Sequence, residues 1–148
     1  ADWEEGGAPA GWSTWQAGES KGTFVWDREV GNQAPGSARM SAVRQGCFIQ
    51  VYDVQPGERY FVRAAARSQG MGWPSIRVRW QTPESKWTME QLDVILTPEP
   101  GEGQWQTIAG VVAVPDSVGK LVILLQGAGQ ASDQDIIWFD DVSLVRLQ

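Results

Sequence analysis

Two adjacent carboxylates, Asp140 and Asp141, sit in the middle of the stretch IIWFDDVSLVRL at 136–147. Apolar residues alternate along it as they do in a half-buried strand. Under strict alternation Trp138, Asp140, Val142 and Leu144 share one face, and Phe139, Asp141, Ser143 and Val145 share the other. Val142 and Leu144 read as core, so Asp140 is expected to point inward. An unpaired carboxylate there is costly or takes up a proton, and a bound cation removes the conflict. The alternative is that both aspartates are solvated at a strand end.

Other chemistries are narrowed by what is missing. The chain has no histidine, so a triad with an imidazole base cannot be built. Its single cysteine, Cys47, excludes an internal disulfide and a thiolate zinc site, without fixing the compartment. Any metal must be held by oxygen, which points to calcium or magnesium. SDQD at 132–135 lacks the glycine and the distant glutamate of an EF-hand loop and reads as a polar loop. Paired carboxylates alone can cleave glycosides. Glu84, Glu90 and Asp93 are available, but neither motif nor spacing places two of them together in a cleft. A net charge of −6 argues against a nucleic-acid partner, which needs a basic face. No apolar run approaches the ~18 residues of a membrane helix. No signal peptide is visible, and the chain begins in what reads as folded sequence. Residues 1–148 are therefore expected to be one domain of a larger protein.

The elements that must position these groups are strands. Period-two patterns occur at 23–29, 37–43, 47–54, 59–68, 75–82, 89–96, 104–114, 120–126 and 136–147. QPGE at 55–58 places Pro and Gly at the centre of a type II turn. TPEPGEG and PDSVGK are further turn signals. No segment keeps a helical period for three turns. About nine short strands in this length indicate an all-β fold, a two-sheet antiparallel β-sandwich of jelly-roll type. The segment DWEEG is expected to lie beside the closing strand, since the ends of such domains often meet.

Three stretches together resemble a known family. WEEGGAPAGW (3–12), CFIQVYDVQPGERYFVRAAARS (47–68) and IWFDDVSLVRL (137–147) are similar to the opening, central and closing patterns of the calcium-bearing jelly-roll carbohydrate-binding modules of families four, nine, sixteen and twenty-two. Their order and spacing cover nearly the whole chain. The resemblance implies a galactose-binding-like jelly roll, a structural calcium ion and sugar binding without catalysis. It places Glu4 and Asp140 on the ion, with backbone carbonyls near Asp2 and in the 31–37 loop completing the six to eight oxygens calcium takes. Glu5 and Asp141 are expected to be exposed.

In that family the outer concave face of one sheet is the sugar cleft. Here Tyr60, Val62, Ala64 and Ala66 form an apolar row, as do Ile76, Val78 and Trp80. The outward rows then put Arg63, Arg67, Arg77 and Arg79 on one sheet face, with Gln81, and with Gln50 and Gln126 joining from other strands. Arginine is a fork-shaped donor that matches carboxylates and sulfates as well as paired hydroxyls, so a polysaccharide groove is expected and, as a secondary reading, one that prefers acidic sugars. Among nine tryptophans, Trp73 and Trp87 lie in loops at opposite ends of strand 75–82 and can wall a cleft. Trp3, Trp12, Trp15, Trp26, Trp80, Trp105 and Trp138 read as structural. Ala65 stands where many sugar-binding relatives carry an aromatic ring, which weakens the case for conventional xylan or cellulose binding.

Three functions follow for weighing. The first is a non-catalytic module that binds a polysaccharide or oligosaccharide, acidic or neutral, and tethers a glycoside hydrolase or lyase to it. The second is a structural accessory domain packing on the catalytic domain of the same parent chain. The third, an enzyme, is the least favoured. The implied setting is extracellular or cell-surface, and the implied state a monomer.

Overall fold

The computed structural model describes residues 11–99 and 104–148. Ten strands form: β1 (Ser13–Gln16), β2 (Thr23–Asp27), β3 (Ser37–Ser41), β4 (Gln45–Asp53), β5 (Arg59–Gln69), β6 (Trp73–Gln81), β7 (Val94–Leu96), β8 (Gln106–Ala113), β9 (Lys120–Ala128) and β10 (Ile136–Leu147). They make two five-stranded antiparallel sheets, ordered β1-β4-β9-β6-β7 and β2-β3-β10-β5-β8. The chain is thus the all-β sandwich that the period-two pattern predicts. Among the described residues no helix is long and apolar enough to cross a membrane.

The core lies between the sheets and follows the alternation. Phe48, Ile76, Val78, Trp80, Leu121, Ile123 and Leu125 come from one inner face; Met40, Val62, Ala64, Ile108, Ile137 and Phe139 come from the other. Each of the larger aliphatic and Phe side chains contributes about 1.5–3 kcal/mol when fully buried, and Ala64 about 0.8 kcal/mol. Trp80 is buried but carries a polar N–H, which donates to the Leu92 carbonyl at 2.9 Å. That bond fixes the 3-10 turn Glu90–Leu92 against the core. The QPGE turn forms as its residues require: Gly57 has φ 86°, and the Glu58 N–H donates to the Gln55 carbonyl.

Three differences from the sequence reading have physical causes. Residues 89–96 do not form one strand; the 3-10 turn interrupts them and only Val94–Leu96 pairs with β6. The four residues of β1 were too few to show a period, yet they pair with β4. The third difference concerns the aspartates. Asp140 pairs with Ala65 and Ser143 with Arg63, so two residues of β10 oppose the single residue Ala64. Asp141 takes the left-handed conformation, φ 50°. This bulge re-phases the strand. Ile137 and Phe139 face the core before it, and Val142 and Leu144 after it. Asp140 therefore does not share the inward face of Val142, as strict alternation predicts; it falls on the outward row, opposite Ala65. The expected meeting of DWEEG with β10 lies outside the described residues.

A buried carboxylate ties the β5–β6 connection to the polar loop 131–135. Asp135 is 6% exposed. It accepts N–H bonds from Met71 at 2.8 Å, Ala131 at 2.7 Å and Ser132 at 3.0 Å. The Met71 N–H leads, with those of Ala131 and Ser132, in holding the carboxyl below its ordinary value. A depressed folded-state pKa stabilises above the ordinary aspartate range and loses that stabilisation as pH falls through the folded value. Asp135→Asn is therefore expected to lower Tm at pH 7. Its deficit against the parent should shrink as the pH is taken well below about 4, as followed by thermal melts across that range.

Candidate functional site

The outer face of the β1-β4-β9-β6-β7 sheet follows from its register. One transverse row is Trp15, Cys47, Gln126 and Ser75; the next is Ser13, Ile49, Leu124 and Arg77; the third is Val51, Val122 and Arg79. Cys47, Val122 and Leu124 are buried here, with Ile49 packed on them, as an apolar cluster separate from the main core. Around this floor stand three half-exposed indoles: Trp15 at 51%, Trp73 at 62% and Trp87 at 50%. The span of β6 from Trp73 to Arg79 is about 20 Å at ~3.3 Å per residue. Gln126 and Ser75 sit between the ends, 3.4 Å apart through Oε1 and Oγ.

Each indole is positioned by its surroundings. Trp73 opens β6 over Gly129, which has φ 76°; a Cβ there would lie 2.4 Å from the indole Cζ3. Only glycine lets the ring lie on that turn. Trp87 is reached by an isolated bridge to Gln81, and its ring is stacked by the Arg79 guanidinium, 4.3 Å from the centroid. Trp15 stands out from the edge strand β1, in register with Cys47.

The cleft carries charge as well. Asp93 precedes β7, and its side chain is only 3% exposed. Its Oδ2 lies 3.0 Å from Arg79 Nε and 3.5 Å from Arg77 Nε. The N–H directions do not aim at it, so both Asp93 oxygens and both Nε atoms lack hydrogen-bond partners. At the far end Lys120 and Asp53 approach to 3.9 Å.

Of the residues singled out in the sequence, Arg77, Arg79, Gln81, Gln126, Trp73 and Trp87 are together on this face. Arg63 and Arg67 are not. They belong to β5, in the opposite sheet, where Arg67 stacks on Trp138 at 4.9 Å. The expected face of four arginines is therefore split between the two outer surfaces, because the β5–β6 connection crosses the sandwich. Ala65 lies on the same opposite sheet, so its lack of a ring does not bear on this cleft. Gln50 is in the inward row, opposite the buried Ile123, and accepts a hydrogen bond from Tyr52. Trp15, read as structural, is instead on the surface. Glu84 and Glu90 are exposed.

Asp140 and Asp141 border an opening between the sheets lined by Trp12, Trp26, Gln50 and residues 33–38. The Asn32 N–H donates to Asp140 Oδ2 at 2.9 Å, and the Asp141 N–H to Oδ1 at 2.8 Å. The 31–37 loop thus reaches Asp140 through a backbone N–H, not through the carbonyl oxygens that the expected calcium site calls for. Each carboxylate oxygen keeps a lone pair for a cation. Glu4 lies outside the described residues, and among these no three acids gather. The donor chemistry fits calcium at Asp140 but is incomplete without further oxygens.

No protein-family model matches the sequence, and no curated protein sequence matches it. Solved structures share the fold. The enzymatically active domain of tailspike protein 4 from Bacteriophage CBA120 aligns with TM-score 0.73 and 16% identity, covering 93% of this chain and 20% of that one. The CBM22-1-GH10 modules of an endo-1,4-beta-D-xylanase from Clostridium thermocellum, complexed with xylohexaose, align at 0.66 and 13%, covering 92% and 26%. A family 4 carbohydrate-binding module aligns at 0.55 and 22%, covering 92% and 86%. The chain thus spans about a fifth to a quarter of the first two, and nearly all of the third. Family 16 and family 22 modules have the same fold, as does a cyclase from Fischerella sp.. The fold is that of the jelly-roll carbohydrate-binding modules.

Burial pushes the Cys47 thiol up to about 12. It is expected not to react with an aromatic disulfide reagent at pH 8 in the native protein, and to give one thiol per chain on unfolding. Fast native labelling would show that the floor of the cleft is open at Cys47.

Proposed function

We propose that this chain is a non-catalytic carbohydrate-binding module whose cleft is the outer face of the β1-β4-β9-β6-β7 sheet. The observation that carries the reading is the set of three half-exposed indoles, Trp15, Trp73 and Trp87, around an apolar floor with Gln126 and Ser75 between them. A pyranose has apolar C–H faces and a polar hydroxyl rim. Indole faces suit the first, and amide, hydroxyl and guanidinium groups suit the second. The structural neighbours support the module reading through the shared fold alone; the choice of this face rests on the indoles. Its role is to hold a polysaccharide-degrading catalytic domain of the same exported chain on its polymer, through tethering.

Catalysis is disfavoured because the buried carboxylate of the cleft, Asp93, is held between two guanidiniums, while Glu84 and Glu90 are exposed. One observation favours an added packing role. On the opposite sheet Val145, Phe61 and Val111 form an outward apolar row, with Val111 and Val145 about half exposed. That row suits contact with a neighbouring domain.

We also propose a structural calcium ion at Asp140 and the 31–37 loop, with Glu4 as a further ligand. It would neutralise the bulge carboxylate and tie the loop to β10.

Two experiments test these readings. Trp15→Ala and Trp73→Ala are each expected to weaken binding to a soluble glycan by about tenfold or more, measured by isothermal titration with melting temperature as the fold control. A parent protein that binds no member of a panel of xylans, β-glucans and polyuronates would refute the sugar-binding role. For calcium, a chelator should lower the parent Tm, and Asp140→Asn should lower it and abolish the chelator's effect. A Tm indifferent to chelator, with no ion found by elemental analysis, would remove calcium.

A further inference from the structure

The cleft carries its own anion. Asp93 is buried to 3% of its side-chain surface, yet lies on the outer face, one alternation from the exposed Ile95. Its carboxylate faces Arg77 and Arg79, whose side chains are 31% and 20% exposed. Arg79 in turn covers one face of the Trp87 indole. Arginine in a cleft is the usual means of taking up a carboxylate or sulfate. Here the position such a group would occupy against the two Nε atoms is already held by Asp93.

From this arrangement we infer that Asp93 is a specificity-determining residue that makes the cleft select uncharged glycans over uronates and sulfated glycans. Asp93 offsets one of the two guanidinium charges and covers both Nε positions, so an anionic sugar finds a weakened cationic site and would have to displace Asp93 to use the forks. Supplying the site's counter-ion from within in this way lowers affinity for an anionic partner relative to an uncharged one. An uncharged sugar meets no such conflict. Its hydroxyls can accept from the guanidinium N–H groups of Arg77 and Arg79 that stay exposed, while the Asp93 oxygens lie buried beneath them. Arg79, pinned by Asp93, also keeps the Trp87 ring in one orientation, with its other face free for a pyranose.

This inference names the ligand class of the proposed cleft and rests on that assignment. Its test is a change of class on removing one charge. The parent chain, Asp93→Asn and the double variant Asp93→Asn with Arg77→Gln are compared by affinity gel electrophoresis on an uncharged xylan and on polygalacturonate, at low and high salt. The parent is expected to be unretarded by polygalacturonate. Asp93→Asn should gain about tenfold or more in affinity for it, and the gain should vanish at high salt. The double variant relieves the repulsion between two unpaired guanidiniums and serves if the single variant does not fold. It still frees Arg79 and must still gain retention. A parent that already binds polygalacturonate as well as xylan, or folded variants that gain nothing on it, would overturn the inference. Parent binding to neither polymer, with the gain still seen in the variants, would count against the proposed glycan ligand while upholding the charge assignment.

Discussion

A strand that is apolar on both faces needs cover on both, and β9 is such a strand. Leu121, Ile123 and Leu125 enter the core between the sheets, while Val122 and Leu124 face outward and are still buried. The inner cover is the second sheet. The outer cover is made of neighbours that have an apolar body and a polar end: Arg77 and Arg79 in register on β6, with Asp93 and Trp87 against them. Arginine stems can lie along apolar surface while the guanidinium stays near water. The result is a surface that is apolar below, polar at its tips and flanked by indoles. Any binding chemistry here would be a by-product of how the central strand is covered, so the cleft and the fold cannot be altered separately around Val122 and Leu124.

The two outer faces use charge differently. On the opposite sheet, Asp27 accepts N–H bonds from Glu29, Val30 and the Trp138 indole and lies 3.6 Å from Arg39, while Arg67 stacks on that same indole. Hydrogen bonds there saturate the aspartate, and the tryptophan is 4% exposed. That network closes the surface. On the cleft face the Asp93 contacts are charge contacts without aligned hydrogen bonds, and the indoles remain half exposed. Residue types are shared between the faces, but among the described residues the buried acceptors without hydrogen-bond partners, the two Asp93 oxygens, lie in the cleft, whereas the opposite face leaves over one donor, Arg39 Nε.

Strand existence was legible in the sequence because period two is a local property. Sheet membership was not. Strands β5 and β6 are consecutive and carry similar apolar rows, so a shared outer face for Arg63, Arg67, Arg77 and Arg79 is a natural expectation. The connection between them crosses the sandwich at Gly70 and Gly72, both with positive φ, and no residue in β5 or β6 records that crossing. The cleft arginines, Gln126, Trp73 and Trp87 could be found from their rows alone. Trp15 could not, because Ser13–Gln16 is too short for alternation to declare a face.

The bulge in β10 explains why the two aspartates misled the alternation argument. Ile136 to Phe139 is apolar in both parities, so that end of the strand is compatible with either phase. Val142 and Leu144 fix the phase only after the bulge. Extending their parity backward puts Asp140 in the core, where its charge would be costly. The extra residue avoids that cost: both acids leave the inner rows, Phe139 and Val142 both enter the core cluster, and Asp141 takes the left-handed turn that a short polar side chain tolerates. The sequence DD is thus first a device for changing phase. Any cation held there would exploit a pair of carboxylates that the backbone had already brought together with the 31–37 loop.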